Sequence, residues 1–325
     1  MRLRRRRPNT QEGIFRLNIW FIGTGQFAAL CLEGLTKRNV SFTRIITGLP
    51  TRSGRNGKEN PSHVELKALS LGLDVTRTGK LNENHELIHE LEANNPDIIF
   101  VIDFGQIIRE PFLSSPVYGC WNIHPSLLPD LRGAAPVQWA LLKGYKQTGV
   151  SVFKLVKAMD AGDIIAQREI EIAPDDNAED LYFRLADLGS ELAYESLNRI
   201  HEIKFTPQNE NLAAYAPKLE KKDFALSFDM SAGKIIDAVR ALAMSGGAYI
   251  MIRNKRVKLW RVSLRDDIRA SECGRVMSLN DSLLVSCADY AIEIQKVQSE
   301  GKSIMPGIEW SRGLRIKQGD MLSGM

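Results

Sequence analysis

The sequence predicts two successive folds: an α/β domain on a Rossmann-like, mostly parallel sheet, then a small all-β barrel of the OB-like kind. Three observations predict this. Over the first two hundred residues, short apolar runs rich in β-branched residues alternate with stretches whose apolar residues recur every three or four positions. Near Thr206 the texture changes to TPQNENLAAYAPK (206–218), rich in Pro and Asn and without a period. Beyond it, short β-like runs follow one another at intervals of roughly ten residues, the spacing of a small barrel or sandwich.

The elements follow in order. Strands are expected in LNIWFIG (17–23), FTRIITG (42–48), PDIIFVID (96–103) and GCWNIH (119–124). Between them, Gln26–Lys37, Ser62–Gly72 and Asn84–Asn94 read as helices. Strands that are apolar throughout and interleaved with helices imply a parallel sheet covered on both faces. GVSVFKLV (149–156) and IIAQREIEI (164–172) read as a hairpin around Lys157–Asp163, and Asp175–Ile203 as a long amphipathic helix. Past the linker, Ser231–Ala243 is helical with Ser231 as its cap. The runs AYIMI, VKLWRV, GRVMSL, SLLVSC and YAIEIQKVQ then supply the barrel. The expected division is a basic tail over 1–16, a catalytic α/β domain over 17–205, a linker over 206–218 and a β-barrel over 219–325.

Composition bounds the function. The 325 residues are 44% hydrophobic and 25% charged, the balance of a globular chain able to bury a core. No apolar run approaches the roughly 20 residues that cross a bilayer. MRLRRRRPNT lacks the apolar segment of a secretory signal. Cys31, Cys120, Cys273 and Cys287 have no metal-ligand spacing and read as free thiols in a reducing compartment. Residues 11–205 hold 20 basic against 25 acidic side chains, whereas 206–325 hold 18 against 14. An acidic first part joined to a basic last part leaves two readings of the latter, a face for a polyanion and a solvated basic surface.

The first strand runs into Gly23-Thr24-Gly25-Gln26-Phe27-Ala28, a GxGxxG/A turn opening a helix, as in dinucleotide-binding sheets. That reading also requires an acid closing the second strand, where Gly48 stands instead, with no acid between Ser41 and Gly57. A dehydrogenase using Arg52 and Arg55 for a 2′-phosphate is one reading. A tight strand-to-helix turn with a helix N-terminus open to an anion is the other.

The stretch WNIHPSLLPDLRGAAP (121–136) carries more chemistry. On a strand, Asn122 and His124 project from one face, and the crevice beyond the carboxyl ends of such strands binds ligands. Pro125, Pro129 and Pro136 stiffen the loop by fixing φ, and Gly133 permits close backbone approach. A second polar turn, Met159-Asp160-Ala161-Gly162-Asp163, can bring a carboxylate to the same crevice. Amide, imidazole and carboxylate together suit acyl transfer between nitrogens: two donors for an oxyanion, and a carboxylate to orient the imidazole and move protons. No motif places a Ser or Cys nucleophile, which favours direct attack over an acyl-enzyme.

On these residues, NIHPSLLPxxRGAAP with a later MDAGD, the chain resembles the formyltransferases that use 10-formyltetrahydrofolate. The resemblance implies that Asn122, His124 and Asp160 are catalytic, with a substrate amine attacking the formyl carbon and Asn and His stabilising the tetrahedral intermediate. It implies a folate pocket made by Val101, Asp103, Phe104, Gly105, Gln106 and Ile107, with Ser126, Leu127, Leu128, Pro129 and Gly162, and no metal. LNIWFIGTGQFA, the linker, KRVKLWRV and RGLRIKQGDML are similar to the branch acting on methionyl-initiator tRNA. That similarity implies a monomer of the bacterial cytoplasm or an organellar matrix, with no membrane partner. The glycinamide ribonucleotide branch lacks the barrel; the sugar-amine branch shares the motif and is the rival. In the tRNA branch an inserted basic loop enters the acceptor stem, and here Thr47–Pro61 carries Arg52, Arg55 and Lys58. These, with Arg132, are the residues implied for tRNA, since Lys and Arg attract phosphates and Arg can reach base edges. The chain departs from the family at Gly25-Gln26, at Gly48-Leu49-Pro50-Thr51 and at Met244-Ser245-Gly246. A non-catalytic RNA-binding protein gives no reason for the Asn/His/Asp set.

Overall fold

The computed structural model describes residues 17–53 and 58–322. They form two compact units, each discontinuous in sequence. The first comprises the chain up to Gly133, Gln147–Glu171 and Tyr182–Tyr215; the second comprises Ala134–Lys146, Ile172–Leu181 and the chain from Ala216. Most of the expected linker therefore belongs to the first unit.

That unit is built on β1 (Ile19–Gly23), β2 (Arg44–Gly48), β5 (Thr76–Thr78), β6 (Ile98–Ile102), β7 (Cys120–His124), β8 (Gln147–Lys154) and β9 (Ile164–Glu171). The intervening β3 (Thr51–Ser53) and β4 (Lys58–Asn60) make a separate two-stranded hairpin. The sheet order is β5-β2-β1-β6-β7-β8-β9, parallel as far as β7 and antiparallel over β7-β8-β9. Every residue of β1 and β6 is buried, as a strand flanked by parallel neighbours and covered on both faces requires.

Helices α1 (Gln26–Lys37), α2 (His63–Ser70) and α3 (His85–Asn94) occupy the predicted positions. Ser62 accepts the Glu65 amide at 3.0 Å and Asn84 the Leu87 amide at 3.1 Å, so the residues read as helix starts are caps one position outside. On one side of the sheet, Leu87, Leu91, Phe104 and Phe112 pack over Trp20, Ile22, Ile99 and Val101. Helix α5 (Ala178–Asn198) is shorter than the expected 175–203, because Asn177 caps its start and the chain after Arg199 tightens into a 3-10 turn. Gly34 of α1 faces Ser190 of α5 so closely that a Cβ would lie 2.5 Å from its hydroxyl.

In the second unit, α4 (Pro136–Leu142) is unforeseen, its Pro136 standing at the favoured first helical position. The remaining elements are β10 (Ala225–Leu226), α6 (Ala232–Leu242), β11 (Ala248–Ile252), β12 (Lys255–Arg269), β13 (Val276–Ser278), β14 (Leu283–Ser286), β15 (Tyr290–Ser299), β16 (Met305–Pro306) and α7 (Gly307–Gly313). Their sheet runs β10-β11-β12-β15-β14-β13, with β16 beside β15, and is antiparallel apart from β10-β11. Register shifts along the long β12 bend it, which gives the curled sheet expected of the small barrel. Among the described residues no helix is long and apolar enough to cross a membrane.

Candidate active site

Strand β7 ends the first unit's parallel run, and side chains alternate along it. Cys120 and Trp121 are buried, Asn122 is half-buried, and His124 is 5% exposed. The His124 ring stands edge-on to Phe153, centroids 6.4 Å apart. Its Nε2 lies 3.0 Å from the Leu131 carbonyl oxygen, which can only accept, so Nε2 carries a proton. Nδ1 is thus the ring nitrogen left for chemistry. It faces Asp160, whose Oδ2 lies 3.9 Å away.

Asp160 stands in the left-handed region at φ 50° and Leu131 at φ 57°, both uncommon for residues with a Cβ. Each holds a functional group toward His124, the Leu131 carbonyl on one side and the Asp160 carboxylate on the other. The Asp160 carboxylate also accepts the Gly133 amide at 2.8 Å. Gly162 is obligatory for the same turn, because a Cβ there would run into the Lys154 carbonyl.

The loop after His124 is rigid for reasons beyond its prolines. Ser126 donates to the Asp130 carbonyl at 2.6 Å, and buried Ser151 donates to the Ser126 carbonyl at 2.6 Å while accepting the Leu128 amide at 3.0 Å. Gln167 adds a bond to the Leu128 carbonyl at 2.8 Å. Ser126 is therefore an internal tie. Cys120 is not reactive either: burial pushes its thiol up to about 12, and the sulfur donates to the Phe112 carbonyl at 3.2 Å. Neither residue offers a nucleophile.

Of the residues expected around the folate, Val101 and Phe104 are packed in the core. Gln106 braces its loop, donating to the Gly79 carbonyl and accepting the Leu81 amide. Leu128 is buried, Leu127 and Pro129 are half-buried, and Gly105 is exposed at φ 76°. Ile107 and, on the Asp160 turn, Met159 are each 66% exposed, large apolar side chains standing in water.

Asp103 does something the sequence did not suggest. It is at φ 44°, its carbonyl accepts the Thr24 and Gly25 amides, and its carboxylate accepts the Phe27 amide at the N-terminus of α1. A Cβ on Gly25 would collide with that carboxylate. The anion position of the glycine turn is filled by the chain itself, which removes the dinucleotide reading.

Arg132, expected to meet tRNA, is 2% exposed. Its guanidinium bonds Gln208 at 2.7 and 3.1 Å and Glu210 at 2.8 and 2.9 Å. With Tyr215 as a further hydrogen-bond partner, this buried guanidinium is committed within the fold. Arg55 and the side chains of Arg52 and Lys58 lie outside the described residues. The partners that sequence reasoning missed are Gln208, Glu210, Ser151 and Gln167. Nothing periodic marks them, and only the fold brings 206–215 against 124–133. Among the described residues, no group of three or more His, Cys, Asp or Glu side chains could hold a metal ion.

Residues 17–197 match the family described as formyl transferase, and 218–315 match its C-terminal domain. The methionyl-tRNA formyltransferase of Caldanaerobacter subterraneus subsp. tengcongensis is 34% identical over 308 residues, covering 94% of this chain and 100% of that one. That of Kosmotoga olearia is 35% identical over 314 residues, covering 95% and 100%. Among solved structures, HypX from Aquifex aeolicus in complex with tetrahydrofolic acid superposes with a TM-score of 0.65 at 18% identity. It matches 94% of this chain, which spans about half of HypX (48%). WlaRD, a sugar 3N-formyl transferase, gives 0.61 at 18%, covering 88% of this chain and 99% of that one. Likeness at that identity bears on the fold alone; the sequence matches across both domains decide the rest, and the chain belongs to the formyl transferase family.

Proposed function

We propose that this enzyme transfers the formyl group of 10-formyltetrahydrofolate, the donor of its family, to the α-amine of methionyl-initiator tRNA. The observation that carries the reading is the approach of Asp160 to within 3.9 Å of His124 Nδ1, beside Asn122 on the same strand. Asn122 donates to the formyl oxygen as negative charge develops there, and His124 Nδ1 does so when the ring, its Nε2 hydrogen held by the Leu131 carbonyl, carries a second proton beside the Asp160 carboxylate. Asp160 takes the proton that the attacking amine releases, and that proton returns to the departing folate nitrogen as the carbon–nitrogen bond to folate breaks. An α-amine with an ordinary pKa near 7.7–8.0 is partly neutral at physiological pH, so the enzyme's task is positioning and charge stabilisation. Exposed Ile107 and Met159 supply apolar cover for a flat pterin.

The tRNA acceptor is supported by the relatives' activity and by a basic–aromatic stripe on the second unit. Arg256 lies 4.9 Å over the Tyr249 ring and Lys258 5.8 Å over the Trp260 ring, with 256, 258 and 260 on one face of β12. Such a face attracts phosphates and stacks bases. In this reading Arg52, Arg55 and Lys58 approach the acceptor stem, and Arg132 serves the catalytic loops instead. The enzyme works in the bacterial cytoplasm, where initiator tRNA is formylated. Incubation with formyl-folate and, in parallel, methionyl-initiator tRNA or an amino-sugar nucleotide tests the assignment. Formyl-methionyl-tRNA is the expected product; a formylated sugar with no formylated tRNA assigns the enzyme to the sugar branch.

A further inference from the structure

The segment Thr206–Tyr215 reads as a spacer and does not behave as one. Thr206 exchanges both backbone hydrogen bonds with Ile164, at 2.8 and 2.9 Å, just beyond the Asp160 turn. At its other end, Ala214 donates to the Pro129 carbonyl and accepts the Arg132 amide, alongside the loop that follows His124. Between these anchors the Gln208 carboxamide makes four bonds. Its nitrogen donates to the carbonyls of Asp160 and Gly162 at 2.8 and 2.7 Å, and its oxygen accepts two bonds from Arg132. A primary amide has two N–H donors and two lone pairs, so all of its capacity is used, and it joins the two loops that carry the site.

We infer that Gln208 is a positioning residue for formyl transfer: it clamps the backbone of the Asp160 turn to Arg132 and so sets the carboxylate against His124. The clamp matters because Asp160 occupies a left-handed backbone conformation, which is uncommon for a residue with a Cβ. Such a conformation persists only where its surroundings over-determine it. The carbonyl of Asp160 itself is one of the two that Gln208 holds. Without that donor the turn relaxes and the 3.9 Å approach to His124 lengthens, while core strands β7 and β8 stay in place. Arg132 and Glu210 are the outer part of the same device: Glu210 neutralises Arg132, and Arg132 orients the Gln208 oxygen so that its nitrogen faces the turn.

The inference rests on the catalytic roles proposed for Asp160 and His124, and its test separates the two. Gln208→Met keeps length but removes both donors; Gln208→Glu keeps an acceptor for Arg132 but cannot donate to the carbonyls. Two quantities are measured on each: steady-state formyl transfer to methionyl-initiator tRNA, and hydrogen exchange at the Gly133 amide, which reports where the Asp160 carboxylate lies. Both variants are expected to lose about 10- to 100-fold in kcat, with KM for the folate within twofold and the unfolding midpoint near that of the parent. Gly133 exchange should accelerate at least as much as in Asp160→Asn. Unchanged kcat and unchanged Gly133 exchange in either folded variant would overturn the clamp. Faster Gly133 exchange in a protein whose parent transfers no formyl group would uphold the clamp and remove the proposed reaction.

Discussion

Two stretches of this chain trade the roles their composition suggests. Gly23–Ala28 has the spacing of a phosphate-binding turn, yet its helix N-terminus is closed by the Asp103 carboxylate, for which Gly25 makes room. Thr206–Tyr215 has the look of a tether, yet it is hydrogen-bonded to both loops that hold the Asn/His/Asp set. The difference lies in where the polar groups find partners. A glycine-rich turn is a ligand site only if its amides remain unsatisfied. A polar linker becomes part of a site when backbone carbonyls of strained turns lack donors of their own.

The largest effect that sharpens this contrast falls at the centre the tether supports. His124→Ala and Asp160→Asn should each lower the transfer rate by roughly 10²–10³-fold, measured as formyl-methionyl-tRNA formed per minute, with far-ultraviolet circular dichroism unchanged. A smaller effect is expected at the glycine turn. Gly25→Ala places a methyl group into the Asp103 carboxylate, and such overpacking destabilises by about 1–3 kcal/mol, read as a lower urea midpoint. A Gly25→Ala protein as stable as the parent would mean that the carboxylate does not close this helix.

The smallest effect belongs to the outer end of the tether. Hydrogen bonding to Arg132 holds the exposed Glu210 carboxyl below the usual carboxylate range. A carboxyl with a depressed folded value stabilises the folded state above its unfolded value, and loses that contribution as pH falls through the folded one. Glu210→Gln should therefore quicken hydrogen exchange over 206–215 slightly above about pH 5, near which an ordinary Glu is already ionised. The difference from the parent should vanish under more acidic conditions. A difference that grew on acidification would assign the pairing the wrong sign.

How much of this was legible beforehand follows from the range of each interaction. Helices α1, α2 and α3 and the buried strands were readable because apolar period, caps and glycines act within a few residues of one another. The hairpin β3–β4 was not, since its residues are polar with no alternation to mark them. Short β5 sits at the sheet edge, where little burial is imposed. Of the residues proposed for the site, Asn122 and His124 stood out by their two-residue spacing and Asp160 by its polar turn, and the fold brings Asp160 within 3.9 Å of His124. The burial of Arg132 was not legible because its charge is visible in sequence while Glu210, which pairs with it, lies 78 positions away. Gln208 was invisible for the same reason, its partners Asp160 and Gly162 being 48 and 46 positions distant. Val101 and Phe104 fell within a stretch assigned to the folate, but the sheet uses them as core.

The most direct measurement is single-turnover formyl transfer by Asp160→Asn with formyl-folate and methionyl-initiator tRNA both saturating, so that binding no longer enters. If the carboxylate near His124 handles the amine proton, the first-order rate constant drops by at least a hundredfold while both substrates still bind as tightly as to the parent. A rate constant close to the parent's would show that the chemistry takes place without that carboxylate.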